Sequence, residues 1–286
     1  MGKKKILITG KGSYVGTNLI TWLMKCPDQY DVDEISVRGD EWKKKDFSKY
    51  DSVLHVAGIA HVSTNLKMKE HYYKINRDLT VEVAKKAKIQ GVKQFIFMSS
   101  IIVYGDSSNE KRIIDCKTVP SPSNFYGDSK LQAEEELKLL ENDGFKVAVI
   151  RPPMIYGKDS KGNYPKLAKV AKILPVFPDF DNERSMLHID NLSEFLRLMV
   201  ENGERGLFFP QNAEYVKTSE MVRVIAGIHD NRIILLKVFN PVLRLMIARV
   251  NFVNKVFGNL VYEKKLSEYK TKYQMNDLKD SVRKSI

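Results

Sequence analysis

Lys4-Lys-Ile-Leu-Ile-Thr9-Gly10-Lys-Gly12-Ser13-Tyr14-Val15-Gly16 decides the fold. Lys4 to Thr9 reads as a strand and Gly10 to Gly16 as a glycine-rich turn. Val15, Leu19, Trp22 and Leu23 then share one face of a helix that stops by Cys26-Pro27. In this order the three pieces make a dinucleotide-binding fingerprint. Glycines permit the tight turn and close helix packing, and the helix N-terminus faces a pyrophosphate. A glycine-rich turn alone is common; its place between a clean strand and a clean helix gives it weight.

Working outward, a second strand is expected at Glu34 to Val37, ending at Arg38. An acidic residue at this strand end holds a ribose 2′-hydroxyl, whereas an arginine accommodates a 2′-phosphate. Arg38 and the run Lys43 to Lys45 therefore lean towards NADP, with NAD the alternative and Asp40 the contrary sign. Ser52-Val-Leu-His-Val-Ala57 reads as a buried strand, followed by Gly58 where backbone approaches a cofactor. The connection before it is too short for a full strand–helix unit. A long helical pattern from about Leu66 to Gln90 places Tyr72, Ile75, Leu79 and Val83 inward.

Phe95-Ile-Phe-Met-Ser-Ser100 is an apolar run that ends in hydroxyls, as a buried parallel strand does when it reaches a ligand crevice. A polar loop (106–124) leads to Tyr126-Gly-Asp-Ser-Lys130 at the head of a helix. Residues four apart share a helix face. An ammonium beside a phenol favours the phenolate and draws the tyrosine pKa down from about 10 towards neutrality. Lys146 to Ile150 is a further strand, leading into Arg151-Pro-Pro-Met-Ile-Tyr-Gly157. Alternating strands and helices mean a parallel sheet covered on both faces, a doubly wound α/β fold. Beyond Gly157 the pattern loosens. Helices are expected at 165–173, 191–200 and 219–225, the last capped by Thr218, and the strand at 206–209 returns to the main sheet.

Composition limits the functions. The net charge of +12 is spread along the chain without a long basic block or nucleic-acid motif. The expected partner is therefore an anionic small molecule rather than nucleic acid. Cys26 and Cys116 are too few for a disulfide framework, which suits a reducing cytoplasm. The apolar run Ile6-Leu-Ile is too short for a signal peptide, and no run reaches spanning length, so no membrane span is expected. His55, His61, His71 and His229 have no metal-ligand spacing, and no metal is expected. Pro241 to Val250 is apolar with arginines. It reads first as a helix covering the substrate side or a subunit contact, then as a membrane-surface contact.

From Lys4 to about Phe209 these pieces resemble the extended short-chain dehydrogenase/reductase family, in its nucleotide-sugar branch. The family's TGxxGxxG corresponds to Thr9 through Gly16, with Ser13 where the middle glycine belongs. Its strand serine corresponds to Ser100 (Ser99 its neighbour), its YxxxK to Tyr126 and Lys130, and its helix asparagine to Asn76. Arg184, His188 and Asp190 match a segment whose arginine meets the substrate diphosphate. The resemblance implies a Rossmann-type doubly wound parallel sheet in residues 1–157, completed by about 186–212. A smaller mixed substrate-binding lobe would comprise 158–185 and 213–286.

By likeness, Ser100 hydrogen-bonds the substrate oxygen and Tyr126 is the acid/base. Lys130 holds the nicotinamide ribose and lowers the Tyr126 pKa. The implied cofactor residues are Gly10, Gly12, Ser13, Tyr14, Val15, Gly16, Arg38, Ala57, Gly58, Asn76, Ser99 and Pro153, with Tyr126 and Lys130. The implied substrate residues are Ser100, Ile101, Tyr126, Met154, Asn163, Val176 and Arg184. Ile101-Ile102 stand where dehydratases of the family carry an Asp-Glu pair, which argues against dehydration. Arg38, the short connection before Ser52 and the small size favour a reductase. The run Phe145 to Gly157, with the Arg184 segment, looks like capsular and O-antigen enzymes. Several of these reduce UDP-4-keto-6-deoxy-N-acetylhexosamines with NADPH to UDP-FucNAc or UDP-QuiNAc, and that reaction is expected here. The alternative is a UDP-sugar 4-epimerase with retained NAD, although Met154 replaces the asparagine usual in those enzymes. A non-catalytic NADP-binding scaffold ranks lower because Tyr126 and Lys130 are both present. A homodimer is expected by likeness.

Overall fold

The computed structural model describes residues 2–60, 66–247 and 249–286; His61 lies outside them. In chain order the elements begin β1 (Lys4–Thr9), α1 (Tyr14–Leu23), β2 (Tyr30–Ile35), β3 (Ser52–His55), α2 (Lys69–Tyr72), α3 (Leu79–Ile89) and β4 (Gln94–Met98). They continue with β5 (Ile113–Ile114), α4 (Phe125–Leu140), β6 (Lys146–Ile150), β7 (Met154–Tyr156), α5 (Asn163–Ile173), β8 (Val176–Pro178) and β9 (Met186–His188). The last are α6 (Ile189–Asn202), β10 (Gly206–Phe208), α7 (Thr218–Ile228), β11 (Ile234–Leu236), α8 (Asn240–Ile247), α9 (Asn251–Phe257), β12 (Val261–Tyr262) and α10 (Leu278–Lys284).

The chain forms two compact units. The first comprises the stretch ending at Gly105, then Val119–Pro152 and Leu192–Pro210. The second comprises Asp106–Thr118, Pro153–Asn191 and Gln211–Ile286. The loop 106–118, inside the first 157 residues, thus groups with the second unit, because its β5 pairs with β12.

The first unit is built on a six-stranded sheet in the order β10-β6-β4-β3-β1-β2, parallel throughout. Helices on both faces explain why β3 and β4 are buried along their whole length. Leu7, Val53, Phe95 and Val147 pack one face against Val83 and Ala87 of α3 and Leu137 of α4. The alternate residues Ile6, Ile8, Leu54 and Ile96 are equally buried on the other face. β10 joins β6 in parallel, so the expected return to the main sheet is present.

Three sequence expectations differ from the structure. The second strand is Tyr30–Ile35, so Arg38 lies three residues past its end. Between α2 and α3 runs a π-helical stretch, Tyr73–Asp78. Its wider turn rotates the following face, burying Asn76 and Thr80 fully where α-periodicity put Ile75 and Leu79, which are only half-buried. Thr218 is the first residue of α7 rather than its cap; its hydroxyl donates to the Val256 carbonyl (2.6 Å) and accepts from Asn182 Nδ2 (3.0 Å).

The second unit has short parallel pairs, β7 with β9, β8 with β11 and β5 with β12. Its core contains Tyr156, Phe177, Met186, Met221, Ile225 and Phe257.

Candidate active site

The glycine turn connects β1 to α1. Gly10 has φ +116°, and a Cβ there would stand 2.8 Å from the Ala57 nitrogen, so only glycine lets the two strand ends approach. Ser13, in place of the family's middle glycine, caps α1; its Oγ accepts from Gly16 N–H at 3.2 Å. The departure from the motif thus serves the helix it opens. Gly12 N–H donates to Glu34 Oε2 at 3.2 Å, a carboxylate on β2 that sequence reading did not assign.

Beyond the ends of β2 and β3 a cleft of about 1480 Å³ is lined by Arg38, Lys43, Ala57, Gly58, Lys74 and Glu82 among others. Arg38 is exposed here, while Lys43 is held by Asp40 (2.9 Å) and Glu82 (2.8 Å).

The π stretch carries Asn76 to the centre of the unit. Its Oδ1 accepts from Ile59 N–H (2.8 Å), and its Nδ2 donates to Ile59 O (3.2 Å) and Ser129 Oγ (3.1 Å). Ser129 in turn donates to the Tyr126 carbonyl at 3.0 Å. Behind Asn76, buried His55 bridges Thr9 Oγ1 (Nδ1, 2.7 Å) and Thr80 Oγ1 (Nε2, 3.1 Å). Thr80 gives its proton to Asn76 O (2.8 Å), so His55 donates from Nε2 and accepts at Nδ1. Burial, with Lys130 nearby, pulls His55 down to about 3 and keeps it neutral.

Tyr126 and Lys130 sit in the first turns of α4, which Asn124 caps by accepting from Gly127 N–H (3.0 Å). The Tyr126 phenol faces the Ser100 side chain. Burial raises the phenol pKa above its ordinary value, and the neighbouring Ser100 side chain opposes this. Lys130 does not pull the phenol down as the spacing suggested. Its Nζ instead donates to Met98 O (2.9 Å) and lies 4.6 Å from the Phe97 ring centre. Burial lowers this ammonium to about 8, opposed by the charge of Glu134. A Cβ on Gly58 would come within 3.0 Å of Asn76 Oδ1 and 3.2 Å of Lys130 Nζ. This cradle of bare backbone, amide and ammonium, with the capped glycine turn, fits a dinucleotide.

Ser100 also caps the short turn 101–104, accepting from Ile102 N–H (3.3 Å), while Ile101 N–H donates to Pro152 O (3.0 Å). Ser99 points elsewhere: its hydroxyl donates to buried Glu134, not into the cleft. Glu134 pairs with Arg151 (Nε at 3.1 Å from both oxygens), and Arg151 Nη1 donates to Tyr104 Oη at 2.6 Å. Nothing in the spacing of these four residues marks them beforehand, although Glu134 lies one turn beyond Lys130.

Pro153, Met154, Asn163, Val176 and Arg184 belong to the second unit. Met154 is half-buried on that unit's core, Asn163 opens α5, and Val176 is exposed opposite Ile234. Arg184 Nη1 donates to Gly258 O (2.8 Å), while its Nε has no hydrogen-bond partner among the described residues. Burial alone lowers its pKa to about 10. His188 is buried edge-on to Tyr156 (5.3 Å) and is pulled down to about 4 by burial, a packing role.

An all-parallel sheet, a glycine turn feeding α1 and a Ser–Tyr–Lys group just past β4 and on α4 define an oxidoreductase fold of the short-chain, NAD(P)-binding class. The NAD dependent epimerase/dehydratase family matches residues 6–208, and the chain belongs to that family. It is 30% identical over 246 residues to a UDP-glucose 4-epimerase of Vibrio cholerae, covering 78% of this chain and 75% of that one. It is 27% identical over 248 residues to a GDP-6-deoxy-D-mannose reductase of Pseudomonas aeruginosa, covering 79% and 80%. In fold it is similar to UDP-glucuronic acid 4-epimerase from Bacillus cereus in complex with NAD. That likeness has TM-score 0.74 and 18% identity over 98% of this chain and 95% of the other.

Proposed function

We propose that this nucleotide-sugar oxidoreductase is an NADPH-dependent ketoreductase that acts at C4 of a UDP-4-keto-6-deoxy-N-acetylhexosamine, giving UDP-FucNAc or UDP-QuiNAc. The observation that carries the reading is the Tyr126 phenol beside the Ser100 side chain, its pKa raised by burial. A protonated phenol gives a proton, as ketone reduction requires; oxidation of an alcohol begins from the phenolate. Arg38 and Lys74 in the cleft suit a 2′-phosphate.

In this reading the glycine turn, Gly58, Asn76 and Lys130 hold the dinucleotide, which when bound supplies the hydride. Ser100 and Tyr126 take the C4 carbonyl oxygen in hydrogen bonds and polarise it. As that oxygen gains charge, Tyr126 transfers its phenolic proton to it. Solvent then restores the proton to the phenolate left behind. Taken by itself, Arg184 in the second unit has a carbonyl but no carboxylate partner among the described residues, a setting that suits an anionic group.

The test is NADPH absorbance on mixing the enzyme with the 4-keto sugar. Loss in step with the UDP-sugar formed is expected. Tyr126→Phe should lower turnover by about 10²–10⁴-fold with cofactor affinity nearly unchanged; full turnover in that variant would refute the mechanism. A second reading, a UDP-sugar 4-epimerase with retained NAD, is favoured by Glu34, whose carboxylate at the glycine turn suits a free 2′-hydroxyl. The Vibrio cholerae relative points the same way. Interconversion of UDP-sugar 4-epimers without added cofactor would establish it.

A further inference from the structure

We infer that the second unit carries a docking surface for an anionic phospholipid bilayer, built on the face of α8 and its neighbours. On α8, Leu243 and Ile247 turn into the core. Val242 and Leu245 on α8, and Val238 in the turn before it, turn outward and are 61%, 55% and 73% exposed. Ile234 and Val176 lie opposite each other on β11 and β8, both exposed, and Phe252 follows on α9. More than half of the large exposed hydrophobics among the described residues fall within 173–176 and 234–252. Such clustering marks an interaction surface rather than the usual scatter.

Charge selects the partner. Residues 231–262 contain five Lys or Arg and no Asp or Glu; residues 160–178 contain four Lys and again no acid. Arg244 and Arg249 are exposed beside the apolar ridge, and Lys166 Nζ lies 5.2 Å from the Phe252 ring centre. Apolar side chains ringed by cations match the boundary between acyl chains and anionic headgroups. A second copy of this chain fits poorly, because a two-fold contact would set each positive surface against itself. No described helix is long and apolar enough to cross a membrane, so the contact is interfacial.

The test is flotation of the full chain with vesicles of phosphatidylethanolamine and phosphatidylglycerol, against vesicles of phosphatidylcholine alone. Co-flotation with the anionic vesicles, weakened by salt, is expected. Arg244→Gln and Arg249→Gln should each lower the partition coefficient about fivefold, and Val242→Glu with Leu245→Glu should abolish flotation. All four positions are exposed, and an unchanged melting temperature separates lost binding from lost folding. Failure to float with anionic vesicles, or equal flotation with both, would overturn the inference. So would a halving of the chain's solution mass in the Val242→Glu, Leu245→Glu variant, which would make the surface a subunit contact. None of these readouts depends on the sugar chemistry.

Discussion

Lys130 shows how burial sets the working range of a single group. With its ammonium lowered to about 8, its charge is present at neutral pH and lost just above it. In the proposed reduction, kcat/KM should therefore fall on the alkaline side with a midpoint near 8. Glu134 holds that value up, so Glu134→Gln should move the limb to lower pH; an unmoved limb would assign it to another group. Glu34 and Arg38 make a second residue-scale pair. Arg38→Ser should reduce the preference for NADPH over NADH about tenfold, the worth of one charge-assisted hydrogen bond. Glu34→Gln should increase it, and competition binding of the two cofactors reads both. Ser100, Tyr126 and Lys130 stood out as candidates in the sequence because the proposed chemistry demands those types at those places. The partners of Lys130 were not, since Met98 is 32 residues away in sequence and becomes its acceptor only through the packing of α4 on β4.

At the scale of elements, apolar runs announced β1, β3, β4 and β6, whereas β2 was misplaced. Tyr30 to Ile35 contains Asp31, Asp33 and Glu34, so its pairing with β1, rather than its own pattern, makes it a strand. β5 is two residues long and exists through β12, far along the chain. The π stretch was invisible to a 3.6-residue period, yet it delivers Asn76 to Ile59 and Ser129. Asn76→Ala leaves the Ile59 N–H without its acceptor and should cost about 1–3 kcal/mol, read as a lower urea midpoint with unchanged slope. The same variant should weaken cofactor binding, because the segment before α3 is tied to α4 through this amide.

The whole molecule carries a buried, neutral histidine in each unit, His55 and His188, with pKa values of about 3 and about 4. The unfolded chain takes up protons at both near pH 6.5, and the folded one does not. Their contribution is fully present above pH 6.5 and is lost as pH falls towards 4 and then 3, each steepening the decline by about 1.4 kcal/mol per pH unit. Urea midpoints across that range should fall with pH, and less steeply in His55→Gln. The doubly wound sheet and its glycine turn were readable at this scale; the passage of residues 106–118 to the other unit was not, because it rests on contacts distant in sequence.

Because the sheet stops at β2, that strand offers one row of backbone donors and acceptors with no strand beside it among the described residues. Such a margin invites other chains to add on and polymerise. Asp31, Asp33 and Glu34 place three carboxylates along it, and Asp33 is further engaged by Tyr50, Lys45 and Lys49. The acids that disguised the strand in the sequence are thus its guard against aggregation. Replacing all three with valine should give a strand easier to recognise and a protein harder to keep in solution.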